Sequence, residues 1–177
     1  MPTVDADAIA RAVVRAGQPA STEIRDRFGD TVFGSNGELD RQRLAKRVFD
    51  NGDERMALEA IVHPHVRAAI DEWFAEVDAD GSARFAVADI PLLFETGRQS
   101  QFDRIVVTAC PKELQLDRLM TRDKISSADA QKRIAAQLST ADKLAGADFA
   151  VQTGGSYAET DTQIDEIVAT LNRSGVT

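Results

Sequence analysis

Apolar residues recur every three or four positions along most of this chain, and a few short unbroken apolar runs interrupt the pattern. The first helical stretch covers 6–16, with Ile9, Val13 and Val14 on one side, and Gly17 and Pro19 end it. A second covers 20–28, with Ile24 and Phe28 at i and i+4, closed by Gly29. The turn formers Gly34-Ser35-Asn36-Gly37 follow. Asp40 is placed to cap a helix carrying Leu44, Val48 and Phe49, which Asn51-Gly52 ends. Asp53 opens the next, predicted to bury Met56, Leu58, Ile61 and Val62 and to stop near Pro64. Helix resumes over 65–77 with Val66, Ile70, Trp73, Phe74 and Val77 on one face. Residues 6–77 therefore read as helix almost throughout.

Four short strands are predicted, over 2–5, 84–89, 104–109 and 148–151. The last two are separated by helices over 112–122, from Ser126 onward, and around 140–146. Ala130, Ile134 and Leu138 form the expected buried face of the second of these, and a final helix turns Ile164, Ile167, Val168 and Leu171 inward. Strands alternating with helices predict an α/β fold, a parallel sheet with helical crossovers. An all-helical insertion lies between the first two strands. No internal repeat or long linker divides the chain.

Composition narrows the function classes. The 177 residues are 43% hydrophobic and carry a net charge of −8. A broad nucleic-acid-binding face needs a basic stripe, so that class is excluded. A small phosphorylated ligand needs only a few local cations and remains open. The single cysteine, Cys110, cannot form an internal disulfide and fits a reducing compartment. No apolar run has the length of a membrane span. We therefore expect a cytoplasmic protein that binds neither nucleic acid nor membrane.

The densest candidate chemistry is Thr3-Val-Asp-Ala-Asp-Ala-Ile-Ala-Arg11, a strand running into a carboxylate pair at the mouth of a helix. Open α/β sheets place ligands at the carboxyl edge of their strands. A carboxylate there can accept a hydroxyl proton, and Arg11, at i+4 from Asp7, can hold a phosphate. Asp5 or Asp7 can equally be the helix N-cap. His63 and His65 flank Pro64 without further ligands nearby, so a packing or capping role is favoured over a metal. Cys110 has no adjacent base and reads as a buried thiol.

Several stretches together resemble dephospho-CoA kinases. They include Val4–Arg11, Arg27-Phe-Gly29, Leu39-Asp-Arg41, His63-Pro64, Ile90-Pro-Leu-Leu-Phe-Glu95, Gln115–Asp123 and Ala135-Ala-Gln137. The resemblance runs from residue 2 to about residue 171, in the family's order and spacing. It implies a three-layer α/β/α P-loop kinase fold with a helical substrate-binding region and a lid. As a single kinase-like domain, its core would be 1–19, 82–110 and 145–177, its substrate region 20–81 and its lid 111–144. It implies ATP-dependent phosphorylation of the ribose 3′-hydroxyl of dephospho-CoA, with Mg²⁺.

Under the resemblance Asp7 is the general base, and Asp5, Arg11, Arg41 and Glu95 fall at substrate positions, although Glu95 can also be structural. Arg118 and Arg122 suit the β- and γ-phosphates; their alternative is a solvated face paired with Asp117 and Asp123. Thr153 and Gly154 fall near the adenine, where Gln152-Thr153 replace an expected asparagine. Asp89 can hold Mg²⁺ through water or be an ordinary strand-end acid.

The family opens with a strand, a Gly-rich P-loop and a helix, and none of the lysines here stands in a Gly-Lys-Ser/Thr pattern. The P-loop's N–H groups and lysine ordinarily cradle the ATP phosphates. The sequence as written is therefore expected to lack the first central strand and to be weak or inactive in ATP turnover. A start upstream of residue 1, a fragment, and a lineage that kept binding without catalysis are the competing explanations. The first is favoured because Asp7, Arg11, Arg118 and Arg122 all stand in place. The alternatives in function are a catalytically silent CoA- or dephospho-CoA-binding protein and another nucleoside or nucleotide kinase.

Overall fold

The computed structural model describes residues 1–49 and 51–173, and the end of the expected core, 174–177, lies outside them. The chain forms two compact units, Met1–Pro91 and Leu92–Thr177.

In the first unit, β1 (Thr3–Asp5) runs into α1 (Ala6–Ala12), followed by α2 (Pro19–Phe28), α3 (Arg41–Phe49), α4 (Gly52–Asp80) and β2 (Val87–Asp89). β1 and β2 pair in parallel, with Thr3 opposite Val87, Val4 opposite Ala88 and Asp5 opposite Asp89. Val14, Ala20, Ile24, Phe28, Val32 and Leu44 form a buried core. Arginines close the ends around it. Arg47 Nη1 donates to the Phe28 carbonyl at 3.0 Å, Arg43 Nη1 to the Phe33 carbonyl at 3.2 Å, and the Arg25 guanidinium lies 4.0 Å over the Phe33 ring. Such contacts satisfy carbonyls that helix ends leave open.

Several expectations are corrected here. α1 stops at Ala12 rather than residue 16, because the chain turns at Val13–Gly17 before Pro19. Pro64 does not stop its helix: α4 runs through it from Gly52 to Asp80. The missing N–H deprives only the Ala60 carbonyl of its helical donor. Burial of Ile61 and Val62 on one side of the proline and Ile70 on the other holds both halves in line. Met56, expected inside, is 60% exposed, since α4 presents Ala57, Leu58, Ile61 and Val62 to the core instead.

The second unit contains β3 (Val106–Ala109), α5 (Lys112–Asp123), α6 (Ser127–Ala135), α7 (Thr140–Ala145), β4 (Phe149–Gln152) and α8 (Tyr157–Arg173). β3 and β4 pair in parallel from Val106–Phe149 to Ala109–Gln152. Caps predictable from sequence are in place: Ser126 Oγ accepts the Asp129 N–H, and Ser139 Oγ accepts the Asp142 N–H. Ser156 and Glu159 form a reciprocal capping box at the start of α8. Leu138 and Ile164 were expected inside but are 43% and 40% exposed. α6 ends at Ala135, so Leu138 falls beyond its periodic face.

The parallel α/β class is thus as expected. The pairing is distributed over two two-stranded sheets, one in each unit, rather than one continuous sheet among the described residues. The strands are also shorter than the apolar runs: 87–89 in place of 84–89 and 106–109 in place of 104–109.

Candidate functional site

The carboxyl end of the β1–β2 pair carries two aspartates side by side, since Asp5 and Asp89 are register partners. Adjacent strands lie roughly 4.8 Å apart, so the two carboxylates share one edge. Asp5 has extended backbone (φ −105°, ψ 115°), and its Oδ1 accepts the N–H of Asp7 at 2.7 Å and of Ala8 at 3.2 Å. Asp5 is therefore the N-cap of α1. Asp7 lies in the first turn of α1, exposed, and no hydrogen bond or ion pair engages its carboxylate among the described residues. Arg11 lies one turn on, in the last turn of the same helix. Arg41 Nη2 donates to the Arg11 carbonyl at 3.2 Å, which brings the start of α3 to the end of α1. The structure thus gathers Asp5, Asp7, Arg11, Arg41 and Asp89 in one unit, with Asp5 committed to the helix. Among the described residues no three His, Cys, Asp or Glu side chains converge as a metal cage. Mg²⁺ commonly takes only one or two carboxylates besides substrate phosphates, and Asp89 at a strand end fits that donor set.

The second unit holds a cavity of about 920 Å³ whose wall includes Thr108, Arg118, Arg122, Arg133, Gln137 and Thr153. Arg118 and Arg122 lie a helical turn apart on α5, as their spacing predicts. Arg118 Nη2 donates to the Thr153 carbonyl at 2.7 Å and Nη1 to Thr153 Oγ1 at 3.3 Å, so two predicted site residues meet directly. The turn itself is pinned to β3, because the Thr153 N–H donates to the Ala109 carbonyl at 2.7 Å. Gly154 is required there: a Cβ would stand 2.9 Å from Pro111 Cδ. Arg122 Nε donates to Asp123 Oδ1 at 2.8 Å, and Arg133 Nη1 donates to Asp123 Oδ2 at 2.6 Å. The hydrogen bond from Arg122 is the main reason the Asp123 carboxyl is held below its ordinary range, and the Arg133 charge adds to it.

One expectation changes. Cys110 is not a buried thiol: it is half-buried and lines the cavity. Glu95, which the resemblance puts at a substrate position with a structural role as the alternative, makes two contacts within its own unit. Its Oε1 accepts the Leu138 N–H at 3.0 Å and faces Lys143 Nζ at 2.9 Å. Burial by itself would raise the Glu95 carboxyl, but those hydrogen bonds and the lysine charge outweigh it and hold the carboxyl low. His65 Nε2 pairs with Glu23 Oε1 at 2.9 Å and joins α4 to α2.

The sequence did not single out Arg133 or Lys143. The i, i+4 spacing of Arg133 and Gln137 was an available signal, whereas Lys143 had none, because its partner Glu95 lies far away in sequence.

Comparison with known proteins shows the family. The family model described as dephospho-CoA kinase matches residues 1–159. The dephospho-CoA kinase of Anaeromyxobacter dehalogenans is 44% identical over 170 residues, covering 96% of this chain and 80% of that protein. The crystal structure of TT1252 from Thermus thermophilus superposes with a TM-score of 0.80 at 30% identity, covering 96% of this chain and 84% of that one. The dephospho-CoA kinase of Campylobacter jejuni superposes with a TM-score of 0.72 at 29% identity, covering 99% and 87%. On the family match and the 44% identity along nearly its whole length, the chain belongs to the dephospho-CoA kinase family.

Proposed function

We propose that this chain serves ATP-dependent phosphorylation of the ribose 3′-hydroxyl of dephospho-CoA, the final step of coenzyme A synthesis, in the cytoplasm. The observation that supports it best is the division of labour between the two N-terminal carboxylates. Asp5 Oδ1 is taken by the helix N–H groups, and the exposed Asp7 carboxylate beside it is available to a substrate. In this reading the 3′-oxygen attacks the γ-phosphorus, the bond to the ADP oxygen breaks, and the hydroxyl proton passes to Asp7. Arg11 and Arg41 hold phosphate groups of the acceptor. Arg118 and Arg122 take the β- and γ-phosphates of ATP, with Thr153 and Gly154 near the adenine and residues 111–144 acting as the lid. Mg²⁺ held through water by Asp89 would neutralise charge on the transferred group.

The 177 residues contain no Gly-x-x-x-x-Gly-Lys-Ser/Thr segment. We therefore propose that this polypeptide binds dephospho-CoA and turns over ATP weakly or not at all. Purified protein should bind dephospho-CoA in a calorimeter, and Arg11→Ala should weaken that binding. ADP release with dephospho-CoA and Mg²⁺ should stay below about 1 per second, the low end of kinase turnover. Turnover between roughly 1 and 100 per second would refute the need for that loop. Faster phosphorylation of another nucleoside or nucleotide would identify a different acceptor. Loss of dephospho-CoA binding altogether would exclude both the kinase and the silent-binder readings.

A further inference from the structure

We infer that Glu95 and Lys143 are positioning residues that set one wall of the cavity in the second unit by fixing the connection between α6 and α7. The inference rests on reading that cavity as the site for the ATP phosphates. Residues 136–139 form this connection, and Gln137 within it and Thr140 just after it line the cavity. Arg133, on the last turn of α6, lines it too. Any movement of the connection therefore moves cavity-lining groups.

The two ends of the connection are secured locally. The Ala136 N–H donates to the Lys132 carbonyl, and Ser139 caps α7. The middle is secured from elsewhere: the Leu138 N–H finds its acceptor in Glu95 Oε1, 43 residues away. The segment that carries Glu95 is itself braced, since Thr96 Oγ1 donates to the Leu92 carbonyl at 2.8 Å and Gly97 turns the chain at φ +64°. The same Glu95 oxygen meets Lys143 Nζ at 2.9 Å, and Lys143 also donates to Gln137 Oε1 at 3.3 Å. The Lys143 and Glu95 side chains are only 15% and 19% exposed, so solvent screens their attraction less than it screens a surface pair. With its oxygen on the lysine, the Gln137 amide keeps its NH₂ for an acceptor within the cavity. Glu95 thus fixes the backbone at Leu138, and Lys143 relays that anchor to the Gln137 side chain.

Two readouts on the full chain test this: amide exchange at Leu138, and calorimetric binding of inorganic tripolyphosphate. Glu95→Ala should speed Leu138 exchange and weaken tripolyphosphate binding, each about tenfold, the scale of one lost charge-assisted hydrogen bond. Lys143→Met should weaken binding by a similar factor while Leu138 exchange stays within about threefold of wild type, because Glu95 still accepts that N–H. Lys143→Arg should restore binding to within about twofold. A purely structural role would lower the melting temperature without this split between the readouts. Wild-type binding in both Glu95→Ala and Lys143→Met would overturn the inference, as would unchanged Leu138 exchange in Glu95→Ala. Arg118→Ala reports on the underlying reading separately. If it leaves tripolyphosphate binding intact, the phosphate site is elsewhere, and Leu138 exchange alone then decides whether the anchor exists.

Discussion

Asp5 and Asp7 are two residues apart, and backbone direction assigns them different work. Both are cap-competent residue types, so sequence left both readings open. The extended backbone at Asp5, set by its pairing opposite Asp89, aims its carboxylate at the first free N–H groups of α1. Asp5→Ala should therefore cost about 1 kcal/mol of unfolding free energy. Asp7→Asn should change it by less than about 0.5 kcal/mol, as exposed substitutions usually do. Urea titration of the two variants separates the roles, and equal losses would contradict the assignment. Arg118 shows the same principle: its spacing from Arg122 was legible, but its bond to Thr153 depends on a turn 35 residues away.

Periodicity located most helices to within a few residues, yet it named apolar positions without saying which had a neighbour to cover them. Ile24 on α2 and Phe49 on α3 both belong to apolar patterns. Ile24 is fully buried, and Phe49 is 79% exposed. Ile24→Ala should cost roughly 2–5 kcal/mol. Phe49→Ala should stay within about 0.5 kcal/mol, measured by thermal or denaturant unfolding. The Pro64 helix carries the same lesson. Local chemistry predicted a stop, and packing on both sides of the proline overrode it. The strands contracted for the complementary reason: only residues that found a ladder partner became strand.

At the scale of the molecule, Glu95, Asp123 and Glu159, among the described residues, are carboxyls held below their ordinary range, and each lies in residues 92–177. The Ser156 N–H and hydroxyl hold Glu159 low by hydrogen bonding, whereas for Asp123 the hydrogen bond from Arg122 is joined by the charges of Arg122 and Arg133. A depressed folded-state pKa means that the unfolded chain binds protons more readily. The stabilisation is therefore present at neutral pH and is lost as pH falls below about 4.5, the ordinary value for Glu95 and Glu159. Amide exchange between pH 6 and roughly pH 3.5 should show protection falling around Glu95 and Glu159. Unchanged protection there would show that these carboxylates do not govern acid sensitivity of that unit.

The apolar pattern and the caps determined most helices and the parallel α/β class, and the i, i+4 spacings of Asp7 with Arg11 and of Arg118 with Arg122 were legible in the same way, because each signal is carried by neighbours within a turn or two of chain. Tertiary structure alone decided that Asp5 caps and Asp7 stands clear, and that Arg133 joins Arg122 through Asp123. It also decided that Glu95 is spent on Lys143 and Leu138. Those outcomes depend on contacts between residues distant in sequence, or on the direction a side chain takes from a paired strand, and no local pattern encodes either.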